Sequence, residues 1–204
     1  MNDTGQHWER AYTARSETEV SWFQPRPERS LQLISAHAAD TTTSIIDVGG
    51  GASRLVDALL PAGYRDLTVL DIAAAALAKS RARLGDQGKR VAWIVADVTE
   101  WRPQRTWGVW HDRAVFHFLT AERDQDAYVA AMTAATAPGS IVIISTFAPD
   151  GPERCSGLPV QRYSAQGIAE RLGGAFALEA ESAERHTTPS GATQSFMYAV
   201  LRRG

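Results

Sequence analysis

Residues 45–60 read IIDVGGGASRLVDALL: branched apolar residues, then three consecutive glycines, then a leucine-rich stretch. The first part favours an extended strand and the last a helix, so the glycines stand at a strand-to-helix junction. Such a junction is the first half of a strand–helix–strand unit and commits the chain to an α/β fold. Glycine loses more conformational freedom on folding than any other residue, so three together need a reason. Either the backbone turns too tightly for side chains, or it must come close to a ligand.

The pattern repeats downstream. After SIIDV, a helix over residues 53–60 is closed by Pro61, Ala62 and Gly63. LTVLD is a second strand, followed by the helix IAAAALAKSRARL. VAWIVAD is a third strand, VTEWRPQRT a loop and WGVWHD a fourth strand. A helix over 122–136 ends near Pro138 and Gly139, SIVIISTF is a fifth strand, and APDGPERCSGLPVQ is a long loop. A helix over 164–172 leads to two strand-like stretches, 177–186 and 193–201, joined by TTPSGA. Strands alternating with helices predict a doubly wound, mostly parallel sheet covered on both faces. The last two strands have no helix between them and must pair as an antiparallel hairpin. Upstream, helices over 6–16 and 28–39 flank the proline-broken VSWFQPRP. The expected organisation is an N-terminal helical cap or lid, residues 1–43, on one compact core, residues 44–204.

Composition narrows the function. The 204 residues suit one domain with a small appendage, and 44% hydrophobic against 22% charged residues is an ordinary globular balance. A net charge of -2 with mixed signs advertises no basic face, so no nucleic-acid partner is expected. The lone Cys155 excludes an intramolecular disulfide, and no apolar run suggests a signal peptide or a membrane span. A cytoplasmic protein is expected. His7, His37 and His186 lack metal-like spacing, so no metal site is expected.

Ligands of such sheets bind at the carboxyl ends of the strands, and Asp47, Asp71, Asp97 and Asp112 all fall there. Gly49 and Gly51 have the spacing of a nucleotide-type loop, and Asp71 follows Gly51 by 20 residues, where an acid can accept from both hydroxyls of a ribose. A dinucleotide fingerprint needs a third glycine where this chain has Arg54, which weighs against NAD. A purely structural tight turn is the alternative reading of the loop.

On these residues the chain resembles the class I S-adenosylmethionine-dependent methyltransferases over roughly residues 44–204, with Asp47, Gly49 and Gly51 matching the first motif. Ser53, HWERAY and EVSWF resemble a subgroup, the methyltransferase-like lysine methyltransferases. The resemblance implies a Rossmann-like sheet of seven strands in the order 3-2-1-4-5-7-6, strand seven antiparallel, with S-adenosyl-L-methionine as cofactor. It also implies that Asp47 and the loop Gly49, Gly50, Gly51 and Ser53 contact the methionine end, and that Asp71 binds the ribose with Ile72 packed on the adenine. Asp97 and Val98 would flank the adenine, Trp22 and Phe23 would belong to a lid, and His111, Asp112 and Arg113 would sit beneath the methionine. No N/D-P-P-Y follows the fourth strand, which disfavours methylation of a base amine.

His111, Asp112 and His117 are the candidate catalytic residues, because HDRAVFHF should border the substrate and a histidine can take a proton near neutral pH. For both histidines a satisfied or exposed ring is the equal alternative. Trp22 is lid or core, Asp97 adenine contact or helix cap, Asp112 rim acid or ion pair with Arg113. Tyr163 lines the pocket or packs beside the following helix. The aromatics Trp22, Phe23, Trp110, Phe116 and Phe118 are expected around the rim. The predicted activity is methyl transfer to a small-molecule or protein acceptor, lysine included. A cofactor sensor without chemistry and a small NAD-dependent oxidoreductase are the alternatives.

Overall fold

The computed structural model describes residues 3–14 and 16–204. Met1, Asn2 and Arg15, within the expected N-terminal cap, lie outside the described residues. Two helices open the chain: α1 (Asp3–Ala14) and α2 (Glu28–His37). Then follow β1 (Ile45–Val48), α3 (Leu55–Leu59), β2 (Leu67–Asp71), α4 (Ala74–Leu84) and β3 (Val91–Val95). β4 (Val109–Arg113), α5 (Glu122–Ala134) and β5 (Ile141–Phe147) complete the parallel part. A two-residue hairpin, β6 (Arg154–Cys155) and β7 (Leu158–Pro159), interrupts what the sequence presents as loop. α6 (Ala165–Leu172), β8 (Phe176–Thr187) and β9 (Thr193–Arg203) end the chain.

The main sheet runs β3-β2-β1-β4-β5-β9-β8, the seven-stranded Rossmann-like order expected once the small hairpin is set aside. β9 alone runs against its neighbours. Strand alternation sends odd and even residues to opposite cores. Ile45, Val109 and Ile143 join Leu31 and Ile34 of α2 and Leu55 and Leu59 of α3. Ile46, Trp110 and Ile144 join Tyr128 and Met132 of α5 and Ile168 of α6. Both faces are covered, which is why β1 and β5 are buried at every position.

Local signals set the helix limits. Ser164 Oγ accepts from Gly167 N–H and caps α6. α4 has no side-chain cap of its own, and Glu9 of α1 supplies one from afar by accepting from Ala75 N–H at 3.2 Å. That contact lays α1 across the carboxyl ends of β1 and β2. The segment after α1 is pinned by Glu17, which pairs with Arg54 and Arg83, while Arg83 also grips Asp57.

Candidate active site

A cavity of about 540 Å³ opens at the carboxyl ends of β1, β2, β3 and β4. Trp22, Gly49, Asp71, Ile72, Asp97 and Val98 line it together. A second space of about 50 Å³ lies behind the glycine loop, bordered by Asp47, Gly50, Ser53 and His111 as well as Trp22 and Gly49. Gly51, Asp112 and His117 border neither space.

Each glycine of the loop answers a separate constraint. Gly49 has φ +67°, and a Cβ there would run into Val115. Gly50 leaves room for the Asp47 carboxylate and Val69. Gly51 has φ +40°, and a Cβ would stand 2.7 Å from Asp71 Oδ2 and 3.1 Å from the Tyr12 hydroxyl. The loop is therefore bare first so that it can fold against its own neighbours; of the three, only Gly49 also faces the large cavity.

Asp71 is buried at the end of β2, with Oδ1 accepting from Ala73 N–H at 2.8 Å. Burial pushes its carboxyl up to about 7, and Asp47 and Glu9 push the same way against the Ala73 hydrogen bond. Asp97 accepts from the Thr99 N–H and hydroxyl and keeps its place on the wall through that turn. α1, within the expected N-terminal cap, lines the cavity through Trp8 and Tyr12. Trp8 meets Phe118 edge-on at 5.0 Å and Trp22 at 5.6 Å, and Trp22 Nε1 donates to the Tyr12 hydroxyl. Cys155, on β6, reaches the far wall beside Phe196 and Gln194. Burial raises its thiol to about 11, so it is a neutral wall group at physiological pH.

The expected catalytic trio is dispersed by strand alternation. His111 and Arg113 point to one face of β4, Trp110 and Asp112 to the other. Asp112 is fully buried and accepts from Val115 N–H, Phe116 N–H and the Tyr128 hydroxyl. Burial raises its carboxyl to about 6 despite those bonds. It shapes the turn after β4, a correction to its expected rim position. His117 is also fully buried, its Nδ1 accepting from Phe147 N–H and its ring packed between Phe118 and Phe147. Burial, then the charge of Arg113, depresses it to about 3, so it is a neutral ring with no access to the cavity and not the general base expected of it. His111 spans Asp47 Oδ1 at 2.7 Å and Ser30 Oγ at 2.9 Å, so both ring nitrogens are engaged beneath the loop.

Trp110 and Phe116 are correspondingly core residues beside Tyr128 rather than rim aromatics. Tyr163 packs on Phe116 and accepts from Gln125 Nε2. Ser53 accepts from Leu55 N–H at the start of α3. Among the described residues no group of three or more metal-ligating side chains assembles, and no helix is long and apolar enough to cross a membrane.

Residues 45–139 match a family described as "Methyltransferase domain". No curated protein matches the chain. The structure aligns with one concerned with conversion of a disulfide bond into a thioacetal group during echinomycin biosynthesis (19% identity, 98% of this chain and 92% of that one, TM-score 0.77). It aligns equally well with a SAM-dependent methyltransferase from Anabaena variabilis (13% identity, 100% and 96%, TM-score 0.76). A third neighbour is Burkholderia thailandensis 1,6-didemethyltoxoflavin-N1-methyltransferase with bound 1,6-didemethyltoxoflavin and S-adenosylhomocysteine (18% identity, 98% and 84%, TM-score 0.69).

Proposed function

We propose that this chain, whose residues 45–139 match a methyltransferase-domain family, binds S-adenosylmethionine and methylates a small molecule within its cavity. The observation that carries this reading is the shape of the cleft. Its nucleoside end is polar, with Asp71 and Asp97 on the wall. Trp8 and Tyr12 of α1, Cys155 of β6 and the rings of Trp22, Phe118 and Phe196 also line the cleft. About 540 Å³ lies within the roughly 300–1,000 Å³ usual for small-molecule sites. A protein lysine, the acceptor class of the resembling subgroup, needs an open channel to bulk protein, and this ring-lined wall argues for a compact acceptor. The small acceptor bound to the Burkholderia neighbour is in keeping with this.

In this reading Asp71 takes the ribose hydroxyls, Ile72 and Val98 sandwich the adenine, and Asp97 receives its amine. Gly49 lets the backbone pass under the methionine arm. Asp47, Gly50, Gly51, Ser53 and His111 hold the loop rather than touch the cofactor, and Trp22 closes the cleft from the N-terminal side, with α1 as the lid.

The bound cofactor supplies an electrophilic methyl group on a sulfonium. The protein's share is alignment and exclusion of water, which in favourable cases lowers a barrier by roughly 7–11 kcal/mol. A pocket less polar than water also disfavours the sulfonium charge relative to the neutral thioether left after transfer. Among the described residues His111, Asp112 and His117 do not line the large cavity, so the acceptor is expected to enter in its nucleophilic form, or to lose its proton to water. Calorimetry with S-adenosylhomocysteine, then a labelled-methyl screen split between proteins and small metabolites, tests the proposal. Label appearing only in protein would refute the small-molecule assignment, and absence of cofactor binding would refute the whole.

A further inference from the structure

We propose that Glu17 and Arg83 are positioning residues for the cofactor, Arg83 tying the glycine loop and the segment after α1 to one point and Glu17 serving as the latch between them; this rests on the methyl-transfer reading above and adds a device that sets how fast the cofactor leaves. Arg83 lies in the last turn of α4. Its Nε and Nη2 donate to the two oxygens of Asp57 on α3, each at 2.7 Å. Nη2 also donates to the Ser53 carbonyl at 2.8 Å and to Ser80 Oγ at 3.1 Å. Nη1 donates to the Ala52 carbonyl at 3.4 Å and to Glu17 Oε2. A rigid planar fork can serve acceptors on this many sides at once, whereas a lysine ammonium is a single point charge.

One arm reaches the glycine loop. Ser80 Oγ, fully buried, donates to the Gly51 carbonyl at 2.7 Å. The carbonyls of Gly51, Ala52 and Ser53 are therefore all held from α4, the last two by Arg83 itself. Gly51 sits in the left-handed region at φ +40°, and Asp71 Oδ2 and the Tyr12 hydroxyl fill the space that a side chain would need. A shift of this turn would be felt at once by Asp71 and Tyr12, which both line the cavity.

The other arm reaches the N-terminal segment. Glu17 stands midway in sequence between Tyr12 and Trp22, and Trp22 Nε1 donates to the Tyr12 hydroxyl at 3.2 Å across the cavity wall. Its second oxygen, Oε1, accepts from Arg54 Nη2 at 2.9 Å, and the Arg54 guanidinium lies 5.3 Å from the centre of the Phe23 ring. Arg54 occupies the place of the third glycine in a dinucleotide fingerprint, and here that place carries a grip on the segment instead. Charges alternate along Arg54, Glu17, Arg83 and Asp57. Their side chains are only 16–33% exposed, and a partly buried network with a bidentate arginine is the kind of ion pairing that contributes. Removing the charge of Glu17 leaves two arginines without their shared acid, and the segment carrying Tyr12 and Trp22 loses this tie to the loop.

The test is the release of S-adenosylhomocysteine from the full chain after rapid dilution, followed by tryptophan fluorescence, since Trp8 and Trp22 line the cavity, with melting temperatures measured alongside. Glu17→Gln keeps the shape and one acceptor oxygen but removes the charge, and should speed release by about threefold or more. Arg83→Lys keeps the charge but cannot reach Asp57, the loop and Glu17 together, and should speed release by at least as much. Because Arg54 acts through Glu17, Glu17→Gln and Arg54→Gln together should speed release by less than the product of their separate effects. Release from folded Glu17→Gln or Arg83→Lys that stays within about threefold of the unmodified protein overturns the proposal, even with a lowered melting temperature, because a purely structural ion pair would give that result. Fully multiplicative effects of Glu17→Gln and Arg54→Gln overturn it as well. Failure of S-adenosylhomocysteine to bind the unmodified protein would instead remove the underlying methyl-transfer reading.

Discussion

Replacing Asp71 by Asn is the most searching perturbation of the cofactor site, because it changes charge with almost no change in shape. With its carboxyl held near 7 by burial, Asp71 is half protonated at neutral pH in the free protein. If the ribose hydroxyls donate to the ionised form, binding must first remove that proton. Affinity should then be flat above pH 8 and fall about tenfold for each pH unit below about 7, which corresponds to about 1.4 kcal/mol per unit. Asn offers only one acceptor oxygen and no charge. Losing a hydrogen bond to a charged group costs roughly 1.5–3 kcal/mol, or about 10- to 150-fold in affinity. The stability effect runs the opposite way. A carboxyl raised above its unfolded value contributes stability below pH 4, and that contribution is lost as pH rises towards 7. Asp71→Asn should therefore make the unliganded protein more stable at pH 8 while weakening its cofactor affinity. Calorimetric titration of S-adenosylhomocysteine from pH 5.5 to 8.5, paired with denaturant melts, reads both. A wild-type affinity independent of pH, or an Asn variant that keeps the slope, would show that Asp71 is not the group linking proton to cofactor.

Three further outcomes follow from the packing. Gly51→Ala places a methyl group against Asp71 Oδ2 in a left-handed backbone, so it should both lower the melting temperature and cut S-adenosylhomocysteine affinity at least tenfold; a variant that melts normally and binds normally would contradict the strained turn. Tyr128→Phe strips a partner from Trp110 Nε1 and from Asp112, which should cost about 1–3 kcal/mol in urea unfolding without changing cofactor affinity. His117, depressed to about 3, contributes stability above pH 6.5 that is lost as pH falls from there towards 3. His117→Phe should flatten the acid side of the stability profile and leave the pH dependence of turnover unchanged; a displaced acid limb in the rate profile would restore His117 to catalysis.

The site separates two kinds of work within a few residues of sequence. His111 is tied to Asp47 and to Ser30, and the Asp47 carboxylate packs against Gly50, so these residues support the loop from below. Asp71, Asp97 and Gly49 line the large cavity.

The chain's alternation of strands and helices, its glycine junction and the acid at the end of β2 are local patterns, and each is written in consecutive residues. Periodicity and turn chemistry therefore determined the sheet, its terminal hairpin and the Asp71 side of the cavity. The rest of the cavity wall depends on residues distant in sequence: Trp8 and Trp22 before the core, Arg113 on β4, Cys155 on the small hairpin and Gln194 and Phe196 on β9. Only the sheet order and the path of α1 bring these together. The fate of HDRAVFHF was likewise decided in three dimensions. Neighbours in that string were expected to share one pocket, yet a strand sends alternate side chains to opposite faces. Which face holds a cavity and which holds Tyr128 is a property of packing that one-dimensional proximity does not encode.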